Sequence, residues 1–205
     1  MTTTNLATSI IDRTTSDGAP ATRILGLAGS LRAGSYNRLL LRQAGLLAPA
    51  GTELTEWDEL EAVPPFSEDD EDAPTPVVLA LRAAITAADA VLVVTPEYNG
   101  SIPGQLKNAL DWASRPFPDN VLRDKPVAVI GASASPGGAA RAQGEARTVL
   151  ARIGATVLDC EVQVPHAYRQ FEPAGQLIDP DLRAGVVALL AALSAAVEPR
   201  AAVGR

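Results

Sequence analysis

Thiols and imidazoles are nearly missing from this 205-residue chain, which has one cysteine and one histidine. A single thiol, Cys160, excludes an intrachain disulfide and any cysteine-rich metal or iron–sulfur cage. A single imidazole, His166, argues against a histidine-built zinc site and against a haem site. Neither residue has a catalytic partner nearby in sequence, so both are read as structural. Positive charge is in deficit: 17 basic residues face 24 acidic ones, for a net charge of -7. That balance argues against nonspecific nucleic-acid binding and against docking on an anionic membrane. Long apolar runs are also lacking. The longest, Ala184 to Val197, is about 14 residues and contains Ser194, short of the roughly 20 needed to span a bilayer. No basic stretch followed by an apolar one opens the chain, so no secretory signal is expected. The expected compartment is the cytoplasm, which suits a lone thiol.

What is present is a globular composition, 47% hydrophobic and 20% charged. Residues 1–21 are polar and rich in Thr and Ser, and are expected to form an N-terminal extension, flexible or an ordered arm. One domain is expected over residues 22–198, with a short C-terminal tail at 199–205. Within the domain, apolar runs alternate with helical periodicity. Arg23–Ala28, Ala90–Thr95 and Pro126–Gly131 read as buried strands, Glu53–Trp57 and Ala155–Leu158 as shorter ones. Helices are predicted over Ser35–Leu47, Val77–Ala88, Pro103–Trp112, Gly138–Ile153 and Asp179–Val197. Strands apolar at every position are buried on both faces, the mark of a parallel sheet. The expectation is therefore an α/β fold: a flavodoxin-like, doubly wound, five-stranded parallel sheet of order 2-1-3-4-5, with helices on both faces.

In such a sheet a ligand sits beyond the carboxyl ends of the strands. Three loops rich in glycine and hydroxyls fall there. The first, Gly29–Asn37, opens a helix, whose unpaired N–H groups and dipole favour an anion. Ser30, Ser35 and Asn37 can add neutral hydrogen bonds and Arg32 a charged fork. No Gly-Lys-Ser/Thr follows, and Gly26-x-Ala28-Gly29 misses the dinucleotide fingerprint, so the loop suits one terminal phosphate. Ser35 can equally be an ordinary N-cap, with the glycines as turn-makers. The second loop, Thr95–Gly104, contains Pro96, Glu97, Tyr98, Asn99 and Gly100. A tight strand-to-helix turn explains Pro96 and Gly100 but not Tyr98 and Asn99. Backbone groups here are expected to meet the edge of a flat ligand. The third loop, Gly131–Gly138, contains Ser133, Ser135, Gly137 and Gly138, with Pro136 where a more flexible residue is expected.

These motifs resemble the NADPH-dependent FMN reductase family of flavodoxin-like quinone, chromate and azo-dye reductases. The matching stretches are Gly29–Arg32 with Gly34, Ser35 and Asn37; Thr95–Asn99 with Ser101, Pro103, Gly104, Leu106–Asn108, Asp111 and Trp112; and Gly131–Ser133 with Gly137, Gly138 and Arg141–Gln143. The resemblance covers about residues 23–195. It implies bound FMN as cofactor and NADPH or NADH as co-substrate. Carried over by position, Ser30, Arg32, Ser35 and Asn37 hold the FMN phosphate, with Tyr36 beside them. Pro96, Glu97, Tyr98 and Asn99 line the isoalloxazine, and Ser133, Ser135, Gly137 and Gly138 flank its other side. Glu97 is expected to bind through its backbone, its carboxylate turned to solvent or to a dimer partner. The family implies a homodimer or homotetramer and a small-molecule electron acceptor, and no catalytic side chain is expected, because the flavin performs the electron chemistry. The competing readings are a flavodoxin-type electron carrier without its own NAD(P)H turnover, and a site for another phosphorylated ligand.

Overall fold

A computed structural model describes residues 21–197. The expected N-terminal extension and C-terminal tail lie outside the described residues, Ala21 apart. The chain runs β1 (Thr22–Ala28), α1 (Tyr36–Leu46), β2 (Thr52–Trp57), α2 (Pro76–Ala87), β3 (Ala90–Thr95), α3 (Gly104–Ala113), β4 (Pro126–Ala132), α4 (Ala140–Ile153), β5 (Thr156–Val157), β6 (Gln163–Val164) and α5 (Pro180–Ala195). The sheet order is β2-β1-β3-β4-β5, and every pairing is parallel.

Alternation along the central strands builds two cores. Leu25, Leu27, Val91, Val93, Val127 and Val129 face α2, α3 and α4, meeting Leu81, Ile85, Leu106, Leu110 and Leu150. Their neighbours Ile24, Leu92, Val94, Ala128 and Ile130 face α1 and α5, meeting Leu40, Leu41, Leu189, Leu190 and Leu193. All six residues of β3 are buried, as a strand covered on both faces requires. Burying one such large aliphatic side chain stabilises the fold by about 1.5–3 kcal/mol.

Two helix starts, those of α1 and α5, follow the capping chemistry. The Ser35 hydroxyl accepts from Asn37 N and Arg38 N. Asp179 is the cap of α5, accepting from Asp181 N and Leu182 N ahead of Pro180 in the first turn. The fifth lane of the sheet departs from expectation. Instead of one strand over 155–158, two two-residue strands line the same edge of β4. β5 pairs Pro126 and Val127, and β6 pairs Gly131 and Ala132. Between them the chain alternates, with Asp159 and Glu161 exposed and Leu158, Cys160 and Val162 packed on the core. Among the described residues, no helix is long and apolar enough to cross a membrane.

Candidate functional site

The carboxyl ends of β1, β3 and β4 open into a cleft of about 220 Å³. Its walls are Ser30, Arg32, Ser35, Tyr36 and Asn37 from the first loop, Pro96, Glu97 and Tyr98 from the second, and Ala132, Ser133 and Ala134 from the third. A larger hollow of about 730 Å³ lies at the opposite end of the sheet, where Asp89 and Lys125 precede β3 and β4 and Thr156 begins β5. The smaller cleft is the better candidate, because the donors for an anion converge there.

Ser30 is buried, and its hydroxyl meets no hydrogen-bond partner among the described residues. The N–H groups of Ser30, Arg32 and Tyr36 likewise meet no protein acceptor among the described residues. The Ser35 hydroxyl accepts two helix N–H bonds, which leaves its own proton to donate outward. Arg32 is exposed and faces no carboxylate within salt-bridge distance among the described residues. Its guanidinium carbon lies 5.4 Å from the centre of the Tyr36 ring. This set is rich in donors and sits at a helix N-terminus, which fits a terminal phosphate.

Asn37 departs from its expected role. Its side-chain Nδ2 donates to Ala132 O at 2.9 Å, and its Oδ1 accepts from Ala132 N at 2.9 Å. The amide lines the cleft, but its main engagement is to lock α1 to the end of β4. Ala132 had no chemical signal in the sequence, because a methyl group announces nothing about its main chain.

Glu97 also corrects the expectation. Its carboxylate is engaged by α4 of its own chain. Oε2 accepts from Arg141 N at 3.1 Å and from Ala142 N at 3.4 Å. The reason lies in α4. Its N-cap is Ala139, left-handed at φ 64°, which has no side chain able to cap. Glu97 supplies the missing acceptor, and its charge suits the positive end of the helix dipole.

The second loop is a tight hairpin. Tyr98 and Ser101 exchange both backbone bonds, at 3.0 and 3.1 Å. Asn99 at φ 55° and Gly100 at φ 82° form the two-residue turn. Positive φ at both centres is the type I′ geometry that an Asn-Gly pair favours. The Pro96 carbonyl accepts from Thr95 Oγ1 at 2.8 Å. So the Pro96 carbonyl and both backbone groups of Tyr98 are already engaged, while the Glu97 N–H has no acceptor among the described residues. Asn99 forms the turn rather than the cleft wall.

In the third loop only Ser133 of the four expected residues lines the cleft, with Ala134 beside it. Ser135, Gly137 and Gly138 shape the turn behind them. The Ser135 carbonyl accepts from Gly138 N and His166 N, and the Ser133 carbonyl accepts from Ala167 N. At Gly131 a Cβ would lie 2.6 Å from Thr95 O and 2.9 Å from Ala139 Cβ, so only glycine lets the strand, the second loop and α4 come this close. Cys160 lies outside the cleft, half-buried, and burial pushes its thiol pKa up, only partly offset by Arg147.

A doubly wound parallel sheet whose first crossing gathers amides, hydroxyls and one guanidinium defines an α/β protein with a site suited to a phosphorylated ligand. The comparisons with known proteins narrow this. The chain belongs to the NADPH-dependent FMN reductase family, whose model matches residues 22–169. It is 42% identical to an NAD(P)H-dependent FMN reductase of Pseudomonas aeruginosa over 163 residues, 78% of this chain and 87% of the relative. It is 38% identical to a 2-hydroxy-1,4-benzoquinone reductase of a Burkholderia species over 165 residues, 80% of this chain and 89% of the relative. The solved flavoenzyme NAD(P)H:(acceptor) oxidoreductase FerB of Paracoccus denitrificans superposes with a TM-score of 0.77 at 30% identity, covering 86% of this chain and 97% of that one. Membership makes this chain an FMN-dependent oxidoreductase that uses NAD(P)H, rather than a passive electron carrier.

Proposed function

We propose that the chain passes reducing equivalents from a nicotinamide, through FMN seated in the cleft between Ser30 and Ser133, to a quinone-type small molecule. The carrying observation is the first loop: free N–H groups, two hydroxyls and an arginine with no carboxylate partner among the described residues, all at the N-terminus of α1. FMN, when bound, supplies the reversible redox chemistry. The protein's part is placement. Ser30, Arg32 and Ser35 hold the phosphate, Tyr36 supports Arg32, and Asn37 fixes the wall against which the nucleotide lies. Tyr98, half-exposed on its hairpin, and Ser133 with Ala134 border the slot that nicotinamide and acceptor occupy in turn. The hydroxybenzoquinone reductase among the relatives supports a quinone-type acceptor.

The test is spectroscopic. Purified protein loaded with FMN and mixed with NADPH or NADH without air loses its visible flavin absorbance, and a benzoquinone restores it. Flavin that stays oxidised with both nicotinamides overturns the enzyme reading in favour of the carrier. Protein that takes up no FMN overturns both. We further place the chain in the cytoplasm as a homodimer or homotetramer. Phe117, 71% exposed beside a groove of about 280 Å³ formed by residues of α3 and α4, supports an assembly surface there. Light scattering of the purified protein checks it.

A further inference from the structure

We propose that Phe171 is a positioning residue for the phosphate loop: its ring fixes Tyr36, and Tyr36 in turn fixes the Arg32 guanidinium. The proposal rests on the reading that Arg32 meets the FMN phosphate.

The segment after β6 folds back over α1. Phe171 and Leu177 form an antiparallel bridge. Glu172 N donates to Gln176 O at 2.9 Å, Gly175 N to Glu172 O at 2.8 Å, and Ile178 N to Gln170 O at 2.9 Å, so the segment is a closed hairpin. It is fastened to α1 along the helix. Leu177 is buried, and its N–H donates to the Oε1 of Gln43, itself buried on α1. At Gly175 a Cβ would stand 3.1 Å from Leu39 Cδ2, so the hairpin backbone presses on the helix. At the cleft end, the Phe171 ring stacks on Tyr36 with centroids 6.0 Å apart and planes 14° apart. Tyr36 then bears the Arg32 guanidinium carbon at 5.4 Å.

This chain of contacts answers a physical problem. Arginine loses much rotamer freedom when it is held in one place. No carboxylate holds Arg32 among the described residues, so the face of Tyr36 is its support. Tyr36 is half-buried, so its ring keeps an open side that needs a neighbour to fix it. Stacking on a ring carried by a closed hairpin supplies that neighbour. The match to the family model ends at residue 169, so Phe171 lies beyond the matched region.

Titrations of FMN and of riboflavin, read by flavin fluorescence, separate the outcomes. Riboflavin has the ring and ribityl chain but no phosphate. Phe171→Leu should weaken FMN by about twofold to tenfold, the range for losing one aromatic pair, and leave riboflavin unchanged. Phe171→Tyr should keep the parent's FMN affinity. Combined with Arg32→Ala, Phe171→Leu should cost nothing further, because the two act through one contact. Equal losses for both ligands, unchanged FMN affinity, or losses that add in the double variant would each overturn the proposal. If Phe171→Leu does not fold, Phe171→Met, which also removes the ring, makes the same comparison with the same outcomes. A parent protein that binds riboflavin as tightly as FMN overturns the phosphate reading itself, a result distinct from a strap that fails while the parent still prefers FMN.

Discussion

Asn37 and Ala132 are joined by a pair of hydrogen bonds, both 2.9 Å, in which one side-chain amide serves the N–H and the C=O of a single residue. The two are 95 positions apart in sequence and both are buried. Asn37→Ala leaves two main-chain groups without their partners in a place water reaches poorly. The expected loss is about 1–3 kcal/mol in urea unfolding, the range for a buried polar group stripped of its bond. FMN affinity should fall with it, because the wall of the cleft is set by this lock. Unfolding midpoints equal to the parent's would show that the lock carries no weight.

Arg32→Ala should behave in the opposite way. The side chain is exposed and bonds to no acid among the described residues, so stability should stay within about 0.5 kcal/mol. FMN binding should weaken by about 1.5–3 kcal/mol, the range for a hydrogen bond to a charged group. Equilibrium titration checks this, and an unchanged affinity would remove Arg32 from the phosphate site.

Glu97→Ala should fray the start of α4. Two N–H groups, those of Arg141 and Ala142, lose their acceptor. The expected cost is about 0.5–2 kcal/mol, as for other helix caps. Hydrogen exchange should accelerate at these two amides before it does so in the rest of the helix. Exchange that rises evenly along α4 would contradict a capping role.

Much of the architecture is legible in the sequence where one residue type dictates its surroundings. β3 has the predicted bounds, because five apolar residues in a row, closed by Thr95, fit between two layers. The N-cap roles of Ser35 and Asp179 follow from chemistry within three residues. In the fifth lane β5 falls inside the expected strand, but β6 is not legible, because strands of two residues are too short to show a period. In the site, the loops could be found from glycine and serine at strand ends, but the destinations of individual side chains could not. Glu97 reaches 44 residues to α4, and Asn37 reaches further still. Such partners are chosen by the packed fold, and no local pattern contains them. The Asn99–Gly100 turn was the exception: its two left-handed residues are a hairpin signal that could have been read directly.

Gly131→Ala should be among the more harmful single-methyl additions. The new carbon would stand 2.6 Å from Thr95 O and 2.9 Å from Ala139 Cβ, and one of these is backbone. Overpacking of this kind typically costs about 1–3 kcal/mol. Thermal unfolding should show the loss, and FMN binding should weaken because the strand end carries the third loop. A variant as stable as the parent would mean that β4 and α4 can part without penalty.

Cys160 should be slow to alkylate near neutral pH. Burial favours the neutral thiol, and only the thiolate attacks an alkylating agent. The rate should therefore rise with pH later than for a free thiol, reaching its midpoint above the ordinary thiol range. Cys160→Ser should retain nicotinamide oxidation. A midpoint at or below the free-thiol value would show that Arg147 outweighs burial.

The tie between Glu97 and the opening turn of α4 also bears on the free energy of binding. With Asn37 holding the remaining wall, the mouth is pre-assembled before any nucleotide arrives. A guest then finds its berth already shaped and need not freeze drifting segments on entry. Affinity gained by such rigidity comes without added contacts, and it vanishes if either latch is cut.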